Sequence, residues 1–228
     1  MKKMTCTTIA VAGTSSEVGK TTLLCSLLRE FPAWEAIKMT RGHYRSCGKD
    51  PHACCVSHLL SEEPVIRSGR EQTYACGKDT GRYWDAGASN VHWVIVTDDQ
   101  VERGIKLALD RVSAPGVLIE GNSFLKFIDV DFAVIAAGWG DGQIKSSARR
   151  AFQKASGIYF FGQSDEAVSR RANLLSKRLP SAGLNEYLPI YTSNDLPALI
   201  TLIRHIHSAR DSAEEATVKQ FSTGGWYV

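Results

Sequence analysis

Ten residues near the start of the chain, Gly13-Thr14-Ser15-Ser16-Glu17-Val18-Gly19-Lys20-Thr21-Thr22, constrain its fold more than any other stretch. They follow a strand-like run, Thr7-Thr8-Ile9-Ala10-Val11-Ala12, and open a helix-like run from Lys20 to Glu30. Strand, glycine-bearing loop and helix in that order make a P-loop. Inward-facing backbone N–H groups and the positive end of the helix then cradle phosphates. In such a loop Lys20 neutralises the charge of the outer phosphates and the Thr21 hydroxyl ligates Mg²⁺. All ten residues are therefore expected to bind a nucleoside triphosphate. One position departs from the usual Gly-x-x-x-x-Gly-Lys spacing, because Thr14 stands where the first glycine belongs.

The bulk properties narrow the partners. A chain of 228 residues suits one domain carrying an insertion. With 43% apolar and 22% charged residues the composition is that of a globular protein. A net charge of +3 gives no reason to expect nucleic acid or a membrane as partner. No apolar run reaches membrane-spanning length, and Met1-Lys2-Lys3 lacks the pattern of a signal peptide. A cytoplasmic location is expected, in which the six cysteines read as thiols or metal ligands before disulfides.

Strand and helix signals alternate along the chain, as in a doubly wound α/β domain with a mostly parallel sheet. Leu23, Leu24, Leu27 and Leu28 form a helix face that Pro32 terminates. Trp34 to Met39, Val91 to Thr97, Gly116 to Ile119, Phe132 to Ala137, Gly157 to Phe161 and Leu188 to Tyr191 read as strands. Asp98 and Asp99 open a helix bearing Val101, Ile105, Leu109 and Val112, and Val168 to Leu179 reads as another. Asn194 or Asp195 is expected to cap a last helix with Leu196, Leu199, Ile200, Ile203 and Ile206 inward. The expected organisation is a nucleotide-binding domain over residues 1–209, an insertion at 42–90, and a tail at 210–228.

The insertion holds four of the six cysteines, and Cys-Gly-Lys-Asp occurs in it twice, at Cys47–Asp50 and Cys76–Asp79. Asp50-Pro51 resembles a helix start, which would place Cys54 and His58 four residues apart on one face. Cys47, Cys54 or Cys55, His58 and Cys76 would then supply a thiolate and imidazole set for Zn²⁺, or thiolates for an iron–sulfur cluster. The spacing matches no paired Cys-x-x-Cys knuckle, so small buried thiols or a redox-sensitive pair is the competing reading.

Gly77-Lys78-Asp79-Thr80, Ala86-Gly87-Ala88 before the strand at Val91, Ile37-Lys38, and Ile119-Glu120-Gly121 together resemble the B protein family of molybdopterin-guanine dinucleotide biosynthesis. Order and spacing agree over residues 1–140. The resemblance implies a P-loop NTPase fold, GTP with Mg²⁺, a homodimer, and an adaptor role beside a partner in molybdenum cofactor maturation. It implies that Lys20, Lys38 and Glu120 serve catalysis and that Thr21, Asp79 and Glu120 hold Mg²⁺. Lys38 would face the γ-phosphate or a bound anionic partner.

Two features depart from that family. Its histidine cluster after the strand-ending lysine is reduced here, in Met39-Thr40-Arg41-Gly42-His43, to His43. The loop Glu17-Val18-Gly19-Lys20-Thr21, with Lys38 and Glu120-Gly121, also looks like that of dethiobiotin synthetase, an ATP-dependent ligase. A metallochaperone-like GTPase using the Cys/His cluster is a third reading. Asp165, in Gly162-Gln163-Ser164-Asp165, has the chemistry to accept from guanine and equally caps a helix, so GTP and ATP both stay open.

Overall fold

The computed structural model describes residues 6–43, 56–138, 146–161 and 188–222, leaving aside the side chains of residues 146 and 214–222. Eight strands form one sheet: β1 (Thr7–Gly13), β2 (Glu35–Arg41), β3 (Val65–Ser68), β4 (Val91–Val96), β5 (Gly116–Glu120), β6 (Phe132–Ala137), β7 (Gly157–Phe160) and β8 (Ile190–Thr192). Their order is β3-β4-β2-β5-β1-β6-β7-β8, parallel throughout except for the antiparallel edge pair of β3 and β4. The described helices are α1 (Lys20–Glu30), α2 (Arg70–Thr73), α3 (Asp79–Asp85), α4 (Val101–Leu109), α5 (Ser146–Phe152) and α6 (Leu196–Ser222). This is the mixed α/β, doubly wound architecture with a mostly parallel sheet that the alternation of signals implies.

A parallel strand must be covered on both faces, and β1 shows why its sequence is apolar without alternation. Ile9 and Val11 point into one core with Leu23, Leu24, Leu27 and Leu28 of α1, Tyr83 of α3, and Leu199, Ile200 and Ile203 of α6. Ala10 and Ala12 point into the other, with Val101, Ile105 and Ala108 of α4 and Phe152 of α5. β1 lies between β5 and β6, with Val11 paired to Glu120 and Gly13 to Ala136. The P-loop therefore leaves the sheet near its middle, beside the end of β5. Carboxyl ends of parallel strands, where neighbouring connections part, are where α/β proteins form ligand crevices.

Three local expectations change. The turn before α4 is made by Gln100, whose side chain accepts from the Thr97 N–H and donates to the Ser61 and Glu62 carbonyls, so α4 begins at Val101 and Asp98 pairs instead with Arg41. The last helix is introduced by a short turn whose cap is Thr192, with Asp195 accepting from the Thr192 N–H and hydroxyl. That helix then runs to Ser222, through thirteen residues (210–222) expected as tail. This stretch contains neither glycine nor proline and includes the good helix formers Ala213, Glu214, Glu215, Ala216, Lys219 and Gln220, which favours the longer helix. Within 42–90, β3 extends the sheet edge and α3 packs on α1, so residues 65–88 belong to the domain body.

Candidate functional site

A cleft of about 600 Å³ opens over the P-loop and the carboxyl ends of β2 and β5. Ser15, Ser16, Glu17, Gly19, Lys20, Thr21 and Thr22 line it. The other three residues of the run, Gly13, Thr14 and Val18, are buried and shape the loop from behind. A Cβ on Gly13 would come within 2.8 Å of both the Lys20 stem and Val18, so the lysine folds back across the loop only because residue 13 has no side chain. Lys20 Nζ donates to the Ser15 carbonyl at 2.7 Å. Gly19 has φ 90° and faces the Phe161 ring, where a Cβ would lie 2.3 Å from a ring carbon. Among the described residues Glu17, at φ 61°, is the non-glycine residue forced into the left-handed region. Backbone held in such a state, beside a glycine at φ 90°, is what turns successive N–H groups toward one point.

Beside the lysine, five side chains from four elements converge. The Thr21 hydroxyl, at the start of α1, lies 3.0 Å from Asp79 Oδ1 of α3 and 2.8 Å from Glu120 Oε2 of β5. Lys38 of β2 places its ammonium 2.6 Å from Asp79 Oδ2 and 2.5 Å from Glu120 Oε1. The Tyr83 hydroxyl, one helical turn after Asp79, donates to Glu120 Oε2. Glu120 is 2% exposed, Lys38 17% and Asp79 41%, so the cluster grades from the core into the cleft.

The electrostatics follow from that grading. Burial would lower the Lys38 ammonium, but the charges and hydrogen bonds of Glu120 and Asp79 raise it above the ordinary lysine range. Burial works to raise Asp79, and the bond and charge of Lys38, then the Thr21 hydroxyl, outweigh it and hold the carboxyl below its ordinary value. Burial, then the Glu120 charge, push the Tyr83 phenol well up, which keeps it a hydrogen-bond donor. Two carboxylates thus face one ammonium, and the single Thr21 proton can serve only one of them at a time. The oxygens Thr21 Oγ1, Asp79 Oδ1 and Glu120 Oε2 form a hard donor set short of positive charge. That set fits Mg²⁺, which takes one or two carboxylates with phosphate and water completing the shell.

The structure thus brings Lys20, Thr21, Lys38, Asp79 and Glu120 together, although Asp79 is 58 residues from Thr21 in sequence and Glu120 99. Asp165, Cys47, Cys54 and Cys55 lie outside the described residues, as does the helix start at Pro51. His58 and Cys76 are both exposed, and no group of three or more His, Cys, Asp or Glu suited to a metal occurs among the described residues. Cys6 and Cys25 are buried free thiols, and burial pushes Cys25 up to about 11, which makes it unreactive.

Three residues of the site are absent from the sequence-based set. Tyr83 and Arg82 follow Asp79 at the i+4 and i+3 positions that share a helix face, and this spacing was the available signal. Arg82 donates to the Thr22 hydroxyl at 3.2 Å. Asn122 grips both backbone groups of Gly13, accepting from its N–H at 2.9 Å and donating to its carbonyl at 2.8 Å. It anchors the first residue of the loop to the segment carrying Glu120. A lone Asn after Glu-Gly offers no sequence pattern that would reveal this.

No family model matches the chain, and no curated protein does. Among solved structures it is similar to HypB from Helicobacter pylori in complex with nickel, at 12% identity over 92% of this chain and 90% of that one, TM-score 0.45. It is similar to pNOB8 ParA bound to nonspecific DNA, at 10% identity over 91% and 99%, TM-score 0.38. The kinase domain of Escherichia coli tyrosine kinase ETK follows at 13% identity over 85% and 70%, TM-score 0.32. Likeness at these levels says nothing of this chain's chemistry, which rests on the loop and the carboxylate cluster. No described helix is long and apolar enough to cross a membrane.

Proposed function

We propose that this chain is a Mg²⁺-dependent nucleoside triphosphate-binding protein with slow hydrolysis, and within that class a GTP-binding adaptor of molybdenum cofactor maturation. One observation carries the first part: the Thr21 hydroxyl, adjacent to the P-loop lysine, sits within hydrogen-bond distance of both Asp79 and Glu120. Bound there, Mg²⁺ would neutralise phosphate oxygens and orient them for in-line attack. Lys20 would exchange its bond to the Ser15 carbonyl for the outer phosphates, and the N–H groups of residues 15–20 would cradle them. The adaptor role, the guanine base and the homodimer are what the resemblance of Ile37-Lys38, Gly77-Lys78-Asp79-Thr80, Ala86-Gly87-Ala88 and Ile119-Glu120-Gly121 to the B protein family implies.

Calorimetric titration with GTP and with ATP, each in Mg²⁺, tests both parts. Binding of GTP in clear preference to ATP is expected. Lys20→Ala should weaken triphosphate binding by at least about tenfold, the loss of one charge-assisted contact. Unchanged affinity in that variant would remove the P-loop assignment.

A second reading, an ATP-dependent ligase acting on a small carboxylate, is favoured by the shape of the cleft. Thr40, Arg41 and Ser123 line it as well as Lys38, which would leave polar room for an acceptor beside a bound triphosphate. ATP preference, with ADP formed only when a carboxylate substrate is added, would select it.

A further inference from the structure

Lys38 occupies a place that the proposed function reserves for another cation. Its ammonium bridges Asp79 Oδ2 and Glu120 Oε1, while the Thr21 hydroxyl touches the second oxygen of each carboxylate. The pair of carboxylates is therefore clamped from both sides, by a proton donor on one and a full positive charge on the other. Tyr83 adds a donor to Glu120 from within the core. A hydrated divalent ion arriving alone would have to displace a largely buried ammonium ion from two partners and shed its own water. An ion arriving on a triphosphate faces a different balance. The same phosphates that bring it offer Lys38 new negative partners at the same end of the sheet, and Lys20 lies across the loop from them.

We propose that Lys38 is an internal counter-ion that closes the Mg²⁺ site in the nucleotide-free protein and yields it only to metal carried by a triphosphate. This rests on the nucleotide-binding reading above and adds an order to it: metal and nucleotide enter together. The stem of Lys38 is held in β2, paired on one side to β4 through Trp93 and on the other to β5 through Glu120. Only its ammonium end needs to move from carboxylate to phosphate, so the exchange needs no strand to shift.

The probe is Mn²⁺ alone, titrated into nucleotide-free protein and followed by calorimetry and by the loss of the free-ion paramagnetic resonance signal. Wild type is expected to bind Mn²⁺ weakly. Lys38→Met should bind it at least about tenfold more tightly, because one charge pair at this spacing is worth more than a decade in affinity even when partly screened. Lys38→Gln, which keeps a donor between the carboxylates, serves if the methionine variant does not fold, and should shift the same way. Lys38→Arg, still cationic, should stay as weak as wild type. Neutral variants that bind Mn²⁺ no more tightly than wild type would overturn the inference. A parallel titration of wild type with a Mg²⁺-loaded non-hydrolysable triphosphate separates the two readings. Failure to bind there sinks the nucleotide assignment, while the Mn²⁺ comparison still decides the role of Lys38.

Discussion

Strand β2 carries a charged residue into each of two buried polar clusters, and they are built on different rules. At its start Glu35, 2% exposed, meets His92, 1% exposed, with Nε2–H donating to Oε2 at 2.7 Å. Its other oxygen accepts from the Ser113 N–H at 3.0 Å, the Ser113 hydroxyl at 2.9 Å and the Ala114 N–H at 3.1 Å. His92 Nδ1 is satisfied by the Ser68 hydroxyl at 2.8 Å. Three residues on, Lys38 enters the cluster around Glu120, which is buried to the same degree. There each donor to the carboxylate is a side chain: Lys38, Thr21 and Tyr83. Backbone donors fixed in a turn cannot leave, whereas side-chain donors can change partners. Equal burial thus separates a pin that ties β2 to β4 and the turn before β5 from a site that can trade its internal bonds for a ligand.

The sharpest way to break that contrast is to remove each carboxylate in turn. Glu35→Ala leaves a buried imidazole and two backbone N–H groups without their acceptor, and should cost about 3–5 kcal/mol of stability in urea unfolding. Its Mg²⁺-dependent triphosphate affinity, measured below the melting transition, should match wild type. A parallel loss of affinity would show that the two clusters are one system. Glu120→Gln should do the reverse. Mg²⁺-dependent triphosphate binding should fall by roughly a hundredfold, and binding without Mg²⁺ should persist through Lys20 and the loop N–H groups. Equal loss with and without Mg²⁺ would place Glu120 among structural residues instead.

Tyr83→Phe sharpens the comparison at smaller scale. It removes one donor from Glu120 and keeps the ring in its fully buried position. The expected cost is about 1 kcal/mol in stability, with a change in Mg²⁺-dependent affinity within about tenfold. A loss as large as that of Glu120→Gln would make the phenol a direct participant.

The contrast also explains what the sequence could tell. Chemistry governed by contiguous residues was legible: the strand, loop and helix of residues 7–30 lie where their pattern puts them, and so do the sheet strands from Val91 to Phe160. Lys38 and Glu120 were reached through the resemblance carried by Ile37-Lys38 and Ile119-Glu120-Gly121. Glu120 does end an apolar strand, where a charged residue has little reason to be unless it faces a site, whereas Lys38 lies inside β2, which runs on to Arg41. Tyr83 was hidden because an aromatic at helical spacing reads first as core, and it is core as well. Asn122 and the Glu35 pin were hidden for another reason. Asn122 bonds to the backbone of residue 13, and Glu35 takes two of its donors from the backbone of residues 113 and 114; a backbone acceptor or donor leaves no mark on residue identity. The extension of α6 to Ser222 was missed because the sequence of residues 210–222 carries no apolar stripe at helical spacing to mark it.

The smallest predicted effect sets the clusters against each other across the pH scale. Burial works to raise Glu35, but the bonds from His92 and Ser113 outweigh it and leave the carboxyl below its ordinary value. A group depressed on folding stabilises fully above its unfolded value, about 4.3 for glutamate, and that contribution is lost as pH falls through the folded value. Lys38 has the opposite sign. Its raised value means full stabilisation below about 10.4 and loss as pH rises through the folded value. Glu35→Gln should therefore flatten the acid side of the stability profile, and Lys38→Met the alkaline side. Asp79 is depressed like Glu35, so the cleft cluster also weakens in acid, and Asp79→Asn corrects for that share. Thermal melts of the three variants from acid to alkali read all of this directly. If Lys38→Met kept the full alkaline slope of wild type, the ammonium would not be coupled to its carboxylates as tightly as their 2.5 and 2.6 Å contacts require.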